Sequence, residues 1–271
     1  MGFLLIEGRK FLLFGVANRK SVAFHIAQVL KEEGAELIFS VFGEEQKRTI
    51  EKFFPDSAAY ICDVSKESEI EKTASEIAQK HGKVYGILHS IAFANYSEGV
   101  KPFHETVKSD FLQAMDISCF SFISIAKYFK SVMENDGALL TISISSTKMA
   151  AENYGYMAPI KAALDSSVCF LAKSLSADTK IRVNAVGASL LKTSSSAGIP
   201  GYIEPYLFAE KLTLRKEALK TEEVANAAAF LLSPRASGIT AQTIVVDAGM
   251  STNFFDRAVV SAALKFQQPG K

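Results

Sequence analysis

Two residues past the middle of the chain, Tyr154 and Lys161, carry side chains that could do chemistry together. A helix turns ~100° per residue, so their separation brings a phenol and an ammonium back to within about 20° of each other, two turns apart. On that geometry the phenol serves as hydrogen-bond or proton donor and the ammonium as a fixed positive charge beside it. Tyr156 falls about 140° from Lys161 and cannot join them. A Tyr/Lys pair that follows a buried strand in a nucleotide-binding chain suits hydride transfer. Either residue alone is also an ordinary occupant of a helix, so the surrounding sequence must decide.

The chain has 271 residues, 48% of them hydrophobic and 22% charged, with a formal net charge of +1. That length buries one large core, and the charge balance carries no signal for nucleic acid or for an acidic surface. Cys62, Cys119 and Cys169 are odd in number and widely spaced, which argues against a disulfide framework and a zinc site and fits a reducing cytoplasm. The apolar run at Phe3 is interrupted by Glu7-Gly-Arg-Lys10 and leaves neither a signal-peptide core nor the roughly 20 apolar residues of a membrane span. A soluble cytoplasmic protein is expected.

The elements that would position the pair follow from hydrophobic period. Lys10 to Val16, Glu36 to Phe42, Ala58 to Cys62, Val84 to Ile91, Ala138 to Ser145, Lys180 to Val186 and Thr243 to Val246 read as buried strands. Ser21 to Glu33, Glu44 to Phe54, Lys66 to His81, Val107 to Met133, Glu152 to Ser176 and Thr221 to Leu232 read as helices between them. The alternation predicts an α/β chain, a single domain over residues 1–271 built as a doubly wound parallel sheet of the Rossmann type, with about seven strands and helices on both faces. One irregular stretch, Ala188 to Leu207, follows the sixth strand and reads as a lid over about 188–211 at the ligand-binding edge.

The first turn, Gly15-Val-Ala-Asn-Arg-Lys-Ser21-Val22, joins a strand to a helix and aims backbone N–H groups at whatever sits there. It has a single glycine where the common dinucleotide fingerprint has three. In spacing it is similar to the Gly-x5-Ser-Ile-Ala turn of the bacterial enoyl-acyl-carrier-protein reductases, a divergent branch of the short-chain dehydrogenase/reductases. Further phrases fall in register with that family: Cys62-Asp63-Val64, His89-Ser90-Ile91-Ala92-Phe93-Ala94, Asp116-Ile-Ser-Cys-Phe-Ser-Phe122, Asn153-Tyr154 with Lys161, Arg182-Val-Asn-Ala185 and Val246-Asp-Ala-Gly249. The resemblance spans essentially the whole chain.

It implies reduction of an enoyl thioester with NADH. By the resemblance Gly15, Ser21 and Val22 meet the pyrophosphate, Asp63 and Val64 the adenine, and Ser90, Ile91 and Ala92 the ribose and nicotinamide. Leu191 and Thr193 then anchor the carboxamide, and Lys161 donates to the nicotinamide ribose. Tyr154 hydrogen-bonds the thioester carbonyl, with Phe93, Ala94, Ile144, Met157, Ile199 and Tyr202 around the substrate. The family is also implied to be homotetrameric, through the Val107 to Met133 and Glu152 to Ser176 helices, and to act on substrates carried by acyl carrier protein.

Alcohol-oxidising members of the superfamily use a Tyr four residues before the Lys and a Ser seventeen before it; here those positions are Met157 and Ile144, which cannot move that proton. Departures from the reductase pattern are Ile144 for a Tyr, Ser189-Leu-Leu191 for Gly-Pro-Ile, Ala92 for a glycine, and Pro200, Ile203 and Glu204 where the family presents basic residues to its carrier. Lys192, Lys211, Arg215 or Lys216 would have to supply any positive patch. Phe42, followed by Gly43, Glu44 and Glu45, favours NADH over NADPH, with Lys47 and Arg48 the residues that could reverse this. Another activated alkene as substrate, or a non-catalytic NAD-binding role, remain the competing readings.

Overall fold

The strands are apolar on both faces, and each face finds its own layer of helices. In the computed structural model, which describes residues 2–150, 154–193, 196 and 201–265, the strands are β1 (Lys10–Phe14), β2 (Glu36–Val41), β3 (Ala58–Ile61), β4 (Val84–His89), β5 (Met133–Ile144), β6 (Arg182–Ala188) and β7 (Gln242–Val246). They form one parallel sheet in the order β3-β2-β1-β4-β5-β6-β7. Strand order reverses between β1 and β4, the switch point at whose carboxyl edge such sheets open a crevice.

Alternate residues of each strand feed opposite cores. Phe11, Leu13, Phe39, Leu88 and Leu140 pack against α1 (Val22–Glu32), α2 (Glu44–Phe53) and α8 (Thr221–Leu232). Leu12, Phe14, Ile87, Leu139 and Val183 pack against α3 (Glu67–His81), α4 (Lys108–Met115), α5 (Ser121–Phe129) and α6 (Met157–Leu175). A fully buried Phe or Leu contributes about 2–3 kcal/mol, so these two layers supply most of what orders the chain.

Several expected boundaries are corrected. The helix expected over Val107 to Met133 is broken: α4 runs into a wide π turn at Asp116–Phe120, then α5, then a short 3₁₀ turn at Lys130–Val132. Met133 already belongs to β5, which begins before the expected Ala138 because Met133 pairs with Val84 of β4; Glu134-Asn-Asp-Gly137 then bulges out of register before pairing resumes at Ala138 against Gly86. The stretch expected to be irregular to Leu207 carries helix α7, Ile203–Leu212. A last helix, α9 (Arg257–Lys265), follows β7. No helix among the described residues is long and apolar enough to cross a membrane.

Arg182 at the start of β6 is 6% exposed and donates to three carbonyls at the end of α8: Leu231 at 2.8 Å, Ser233 at 2.9 Å and Ala236 at 3.1 Å. It satisfies the acceptors that a helix C-terminus leaves open. Arg182→Leu strands them in the interior and should cost on the order of 3 kcal/mol of stability. Equilibrium denaturation reads this directly, and a loss below about 1 kcal/mol would show that solvent reaches those carbonyls.

Candidate active site

The turn between β1 and α1 closes directly on the segment after β4. Gly15 has φ +94°, and a Cβ there would lie 2.0 Å from the Ser90 carbonyl oxygen, so only glycine fits. The Ser90 N–H donates to the Phe14 carbonyl at 3.1 Å and fixes the approach from the other side. Ser21 caps α1 in extended conformation, but its hydroxyl donates back to the Asn18 carbonyl at 2.7 Å and does not cap the helix. The first-turn N–H groups, with the partly buried Val22 at their head, therefore face outward with the positive end of the helix dipole. This is a cradle for an anion pressed against bare backbone.

On the outer side of the switch point, Phe42 follows β2 directly and is 71% exposed, and Glu44 and Glu45 stand exposed in the first turn of α2. Asp63 and Val64 follow β3 and are partly buried. Asp63 Oδ1 accepts from the Ser65 hydroxyl at 2.7 Å and its N–H at 3.1 Å, while Oδ2 lies 3.3 Å from Lys66 Nζ. Burial works against the Asp63 carboxylate, but these donors outweigh it and hold its pKa below the ordinary range. It stands ready as an acceptor at neutral pH.

The pair itself is built differently from the helical expectation. Gly155 has φ +57°, and α6 begins only at Met157, so Tyr154 sits on a separate turn before the helix and helical phase does not place it. A Cβ at Gly155 would lie 3.0 Å from the Tyr96 ring, and Tyr96 Oη donates to the Tyr154 carbonyl at 3.4 Å. Burial, reinforced by the phenols of Tyr202 and Tyr96, pushes the Tyr154 pKa well above its ordinary value, so Tyr154 is a donor and not a base at neutral pH. Tyr156 is buried in the core with its hydroxyl donating to the Asn95 carbonyl, a packing role.

Lys161 is 4% exposed, and its ammonium donates to the Ile142 carbonyl at 2.7 Å. Burial pulls its pKa down to about 8 against the opposing pull of Asp165 and Cys119. In this structure the cation is withdrawn against β5. Beneath it His89, fully buried at the end of β4, bonds Thr141 Oγ1 through Nδ1 at 2.8 Å and Ser121 Oγ through Nε2 at 2.9 Å.

Of the segment after β4, Ile91 and Ala94 are partly buried, and Ala92 and Phe93 are exposed. Ser118, on the π turn, accepts from the Phe93 N–H at 2.8 Å and donates to the Phe93 carbonyl at 3.0 Å. Ser118, Ser121, Thr141 and His89 thus brace the floor; none was assigned a role from sequence, although three lie inside phrases that mark the family. Their shared signal is polar residues in otherwise apolar elements.

The expected lid is tied down at Leu191. Its N–H donates to Tyr202 Oη at 2.9 Å and its carbonyl accepts from Tyr202 Oη at 3.0 Å, a two-way bond that an incoming carboxamide would have to replace. Thr193 N–H donates to Ser196 Oγ at 2.9 Å. Ile144 is partly buried at the end of β5, while Met157 lies in the α6 core at 5% exposure. Ile199 and Pro200 lie outside the described residues. Ile203 is 73% exposed on α7. Of the candidate basic residues, Arg215 is paired with Glu223 at 2.6 Å, Lys216 is paired with Asp256, and Lys192 stacks 4.7 Å from the Tyr206 ring centre.

A Gly cradle at a switch point, an outward helix N-terminus, a partly buried phenol with a raised pKa and a buried lysine define a doubly wound dinucleotide-binding oxidoreductase. Comparison with known proteins narrows this. A sequence profile described as enoyl-(acyl carrier protein) reductase matches residues 15–251. The enoyl-(acyl-carrier-protein) reductase (NADH) FabI of Bacillus subtilis is 35% identical over 249 residues, covering 90% of this chain and 96% of that protein. The corresponding NADPH protein of Staphylococcus aureus is 34% identical over 251 residues, covering 91% and 98%. A crystal structure of the Anaplasma phagocytophilum reductase in complex with NAD superposes with a TM-score of 0.87 at 30% identity, covering 93% of this chain and 97% of that one. The chain belongs to the enoyl-(acyl carrier protein) reductase family.

The buried imidazole carries a pH signature. Desolvation first, and Lys161 second, lower the His89 pKa from 6.5 to about 3. Between those values the unfolded chain binds a proton that the folded chain excludes, so stability should fall as pH drops from 6.5 toward 3. In thermal unfolding across that range, His89→Gln should show a shallower decline than the parent protein. An identical slope would show that His89 is protonated in the folded state.

Proposed function

We propose that this protein reduces the trans-2 double bond of an enoyl thioester with NADH, the reductive step of type II fatty-acid elongation. What supports this reading most is the Tyr154 phenol, partly buried and with its pKa pushed above the ordinary value, in a chain that also carries the Gly15–Ser90 cradle, with Met157 and Ile144 standing where an alcohol dehydrogenase needs a Tyr and a Ser. The cradle supports the cofactor assignment, because a close turn lacking a Cβ and a free helix N-terminus suit a pyrophosphate. Gly15, Ser21 and Val22 would hold that group, Asp63 and Val64 the adenine end, Ser90 to Ala92, Leu191 and Thr193 the nicotinamide end. Bound NADH supplies hydride equivalents to the β-carbon of the thioester.

The chain's own residues do the rest. Tyr154 donates a hydrogen bond to the thioester carbonyl oxygen, and this bond strengthens as enolate charge gathers there, so it lowers the barrier more than it binds the ground state. Lys161 lends positive potential and donates to the ribose. Phe93, Ala94, Ile144 and Tyr202, with Met157 behind them, exclude water from the acyl chain.

NADH is favoured over NADPH because Phe42, Glu44 and Glu45 offer no cation to a 2′-phosphate; the relatives include proteins named for each cofactor. Leu112, Phe120 and Phe170, exposed by 54%, 45% and 76%, lie on the elements through which a homotetramer would pair. A second reading concerns the carrier. With Ile203 and Glu204 outermost on α7, and Arg215 and Lys216 neutralised by acids, acyl carrier protein finds little basic surface, and coenzyme A thioesters become competitive substrates.

Tyr154→Phe should lower kcat on the order of tenfold or more with NADH affinity unchanged, and Lys161→Ala should weaken NADH binding as well as rate. Steady-state assay with a short trans-2-enoyl coenzyme A, together with NADH titration, checks both; full turnover in Tyr154→Phe would remove the phenol from the mechanism. In the same assay NADH should exceed NADPH in kcat/KM, and equal use would mean that Lys47 or Arg48 reaches the 2′-phosphate.

A further inference from the structure

Among the described residues two buried side-chain hydroxyls lack a hydrogen-bond partner, those of Ser40 and Ser143. Ser40 has the Cys62 sulfur beside it. Ser143 has no such neighbour, and an unpartnered buried hydroxyl costs about 1–3 kcal/mol, so its retention calls for a reason.

Its place in the sheet supplies one. Thr141, Ala185 and Thr243 are in register across β5, β6 and β7, and Thr243 Oγ1 donates to Asp165 on α6 at 3.0 Å, so this row faces α6. Ser143, two residues beyond Thr141 on the same strand, faces α6 as well, in register with Gly187, which puts no side chain beside it. The residue before Ser143 is Ile142, whose carbonyl holds the Lys161 ammonium. A buried ammonium with three N–H donors therefore takes its acceptor from the peptide unit that joins Ile142 to Ser143, and the Ser143 hydroxyl on that unit is buried with no partner.

We propose that Ser143 is a positioning residue for Lys161: its hydroxyl accepts from the ammonium when Lys161 leaves the Ile142 carbonyl to reach the cofactor ribose. This rests on the reading of Lys161 as a ribose ligand. Withdrawn, the ammonium is held by a backbone carbonyl; extended toward the ribose, it keeps a buried acceptor on β5 through Ser143, so the charge never crosses the mouth unpaired. Of the other groups that face Lys161, His89 is occupied by Thr141 and Ser121, the Cys119 sulfur lies 3.8 Å from the Ser167 hydroxyl, and Asp165, whose Oδ1 accepts from Thr243 on β7, attracts the ammonium as a charge from α6 itself and not from β5. Burial already pulls the Lys161 pKa down to about 8, and loss of an acceptor would lower it further.

The test is a cycle on the intact protein. Ser143→Ala should raise KM for NADH roughly five- to tenfold with kcat within about twofold, and move the rise of KM with pH to lower pH; its unfolding midpoint should stay level or increase, since an unpaired hydroxyl is gone. Ser143→Thr, which keeps the hydroxyl, should restore KM. In a Lys161→Ala background, Ser143→Ala should add nothing, because the residue it positions is absent. An unchanged KM in Ser143→Ala while Lys161→Ala raises it would sink this inference alone, as would equal effects in both backgrounds. Both variants silent would sink the reading of Lys161 itself.

Discussion

The whole site depends on one contact between backbones, the approach of Gly15 to the Ser90 carbonyl at the switch point. Because β1 continues toward β2 while β4 continues toward β5, the loops leaving these two strands diverge and leave a crevice whose floor is main chain. A side chain at Gly15 would part the two strands' ends and remove the floor. Every other functional placement is set relative to this junction: α1 aims its N-terminus across it, Asp63 and Phe42 stand on one side, and Tyr154 and Lys161 on the other.

Polar groups then brace the floor from below at some energetic risk. His89, Thr141 and Ser121 form a closed set inside an otherwise apolar layer, and Ser118 clamps the Phe93 peptide from the same turn. Fully satisfied, such a set rigidifies its surroundings; partly satisfied, it would be worse than hydrocarbon. Here each member has partners, so Lys161 sits above a fixed platform, its ammonium held against β5 by the Ile142 carbonyl.

Much of this was legible in the sequence for definite reasons. Strands buried on both faces leave continuous apolar runs such as Phe11 to Phe14 and Ala138 to Leu140, and their alternation with helices implies the parallel sheet. Gly15 and Ser21 could be singled out because a strand-turn-helix unit presents backbone donors there, whereas Asp63 and Ser90 were singled out only through the family resemblance. What failed was phase: the argument that joined Tyr154 to Lys161 assumed an unbroken helix, and Gly155 breaks it with a left-handed backbone that no period reveals. Glu134-Asn-Asp-Gly137 has a turn's composition yet lies inside β5 as a bulge, where Gly137 approaches β4 so closely that a Cβ would lie 2.5 Å from the Tyr85 carbonyl. Arg182, read only as part of a family phrase, proved to be the cap of a helix distant in sequence.

The π turn at Asp116–Phe120 makes the segment from Lys108 to Phe129 intolerant of changes in length. A wide turn holds about one residue more than an α turn, and here that residue lets Ser118 reach Phe93 while Ser121 reaches His89. Deleting one residue between Met115 and Ser121 would let the helix run on regularly, with hydrophobic content almost intact, yet would rotate everything on one side by about 100°. The platform under the segment that follows β4 would lose either its clamp or its imidazole. In evolutionary terms this stretch can change its letters far more freely than its count, and alignments of functional relatives should place their gaps elsewhere.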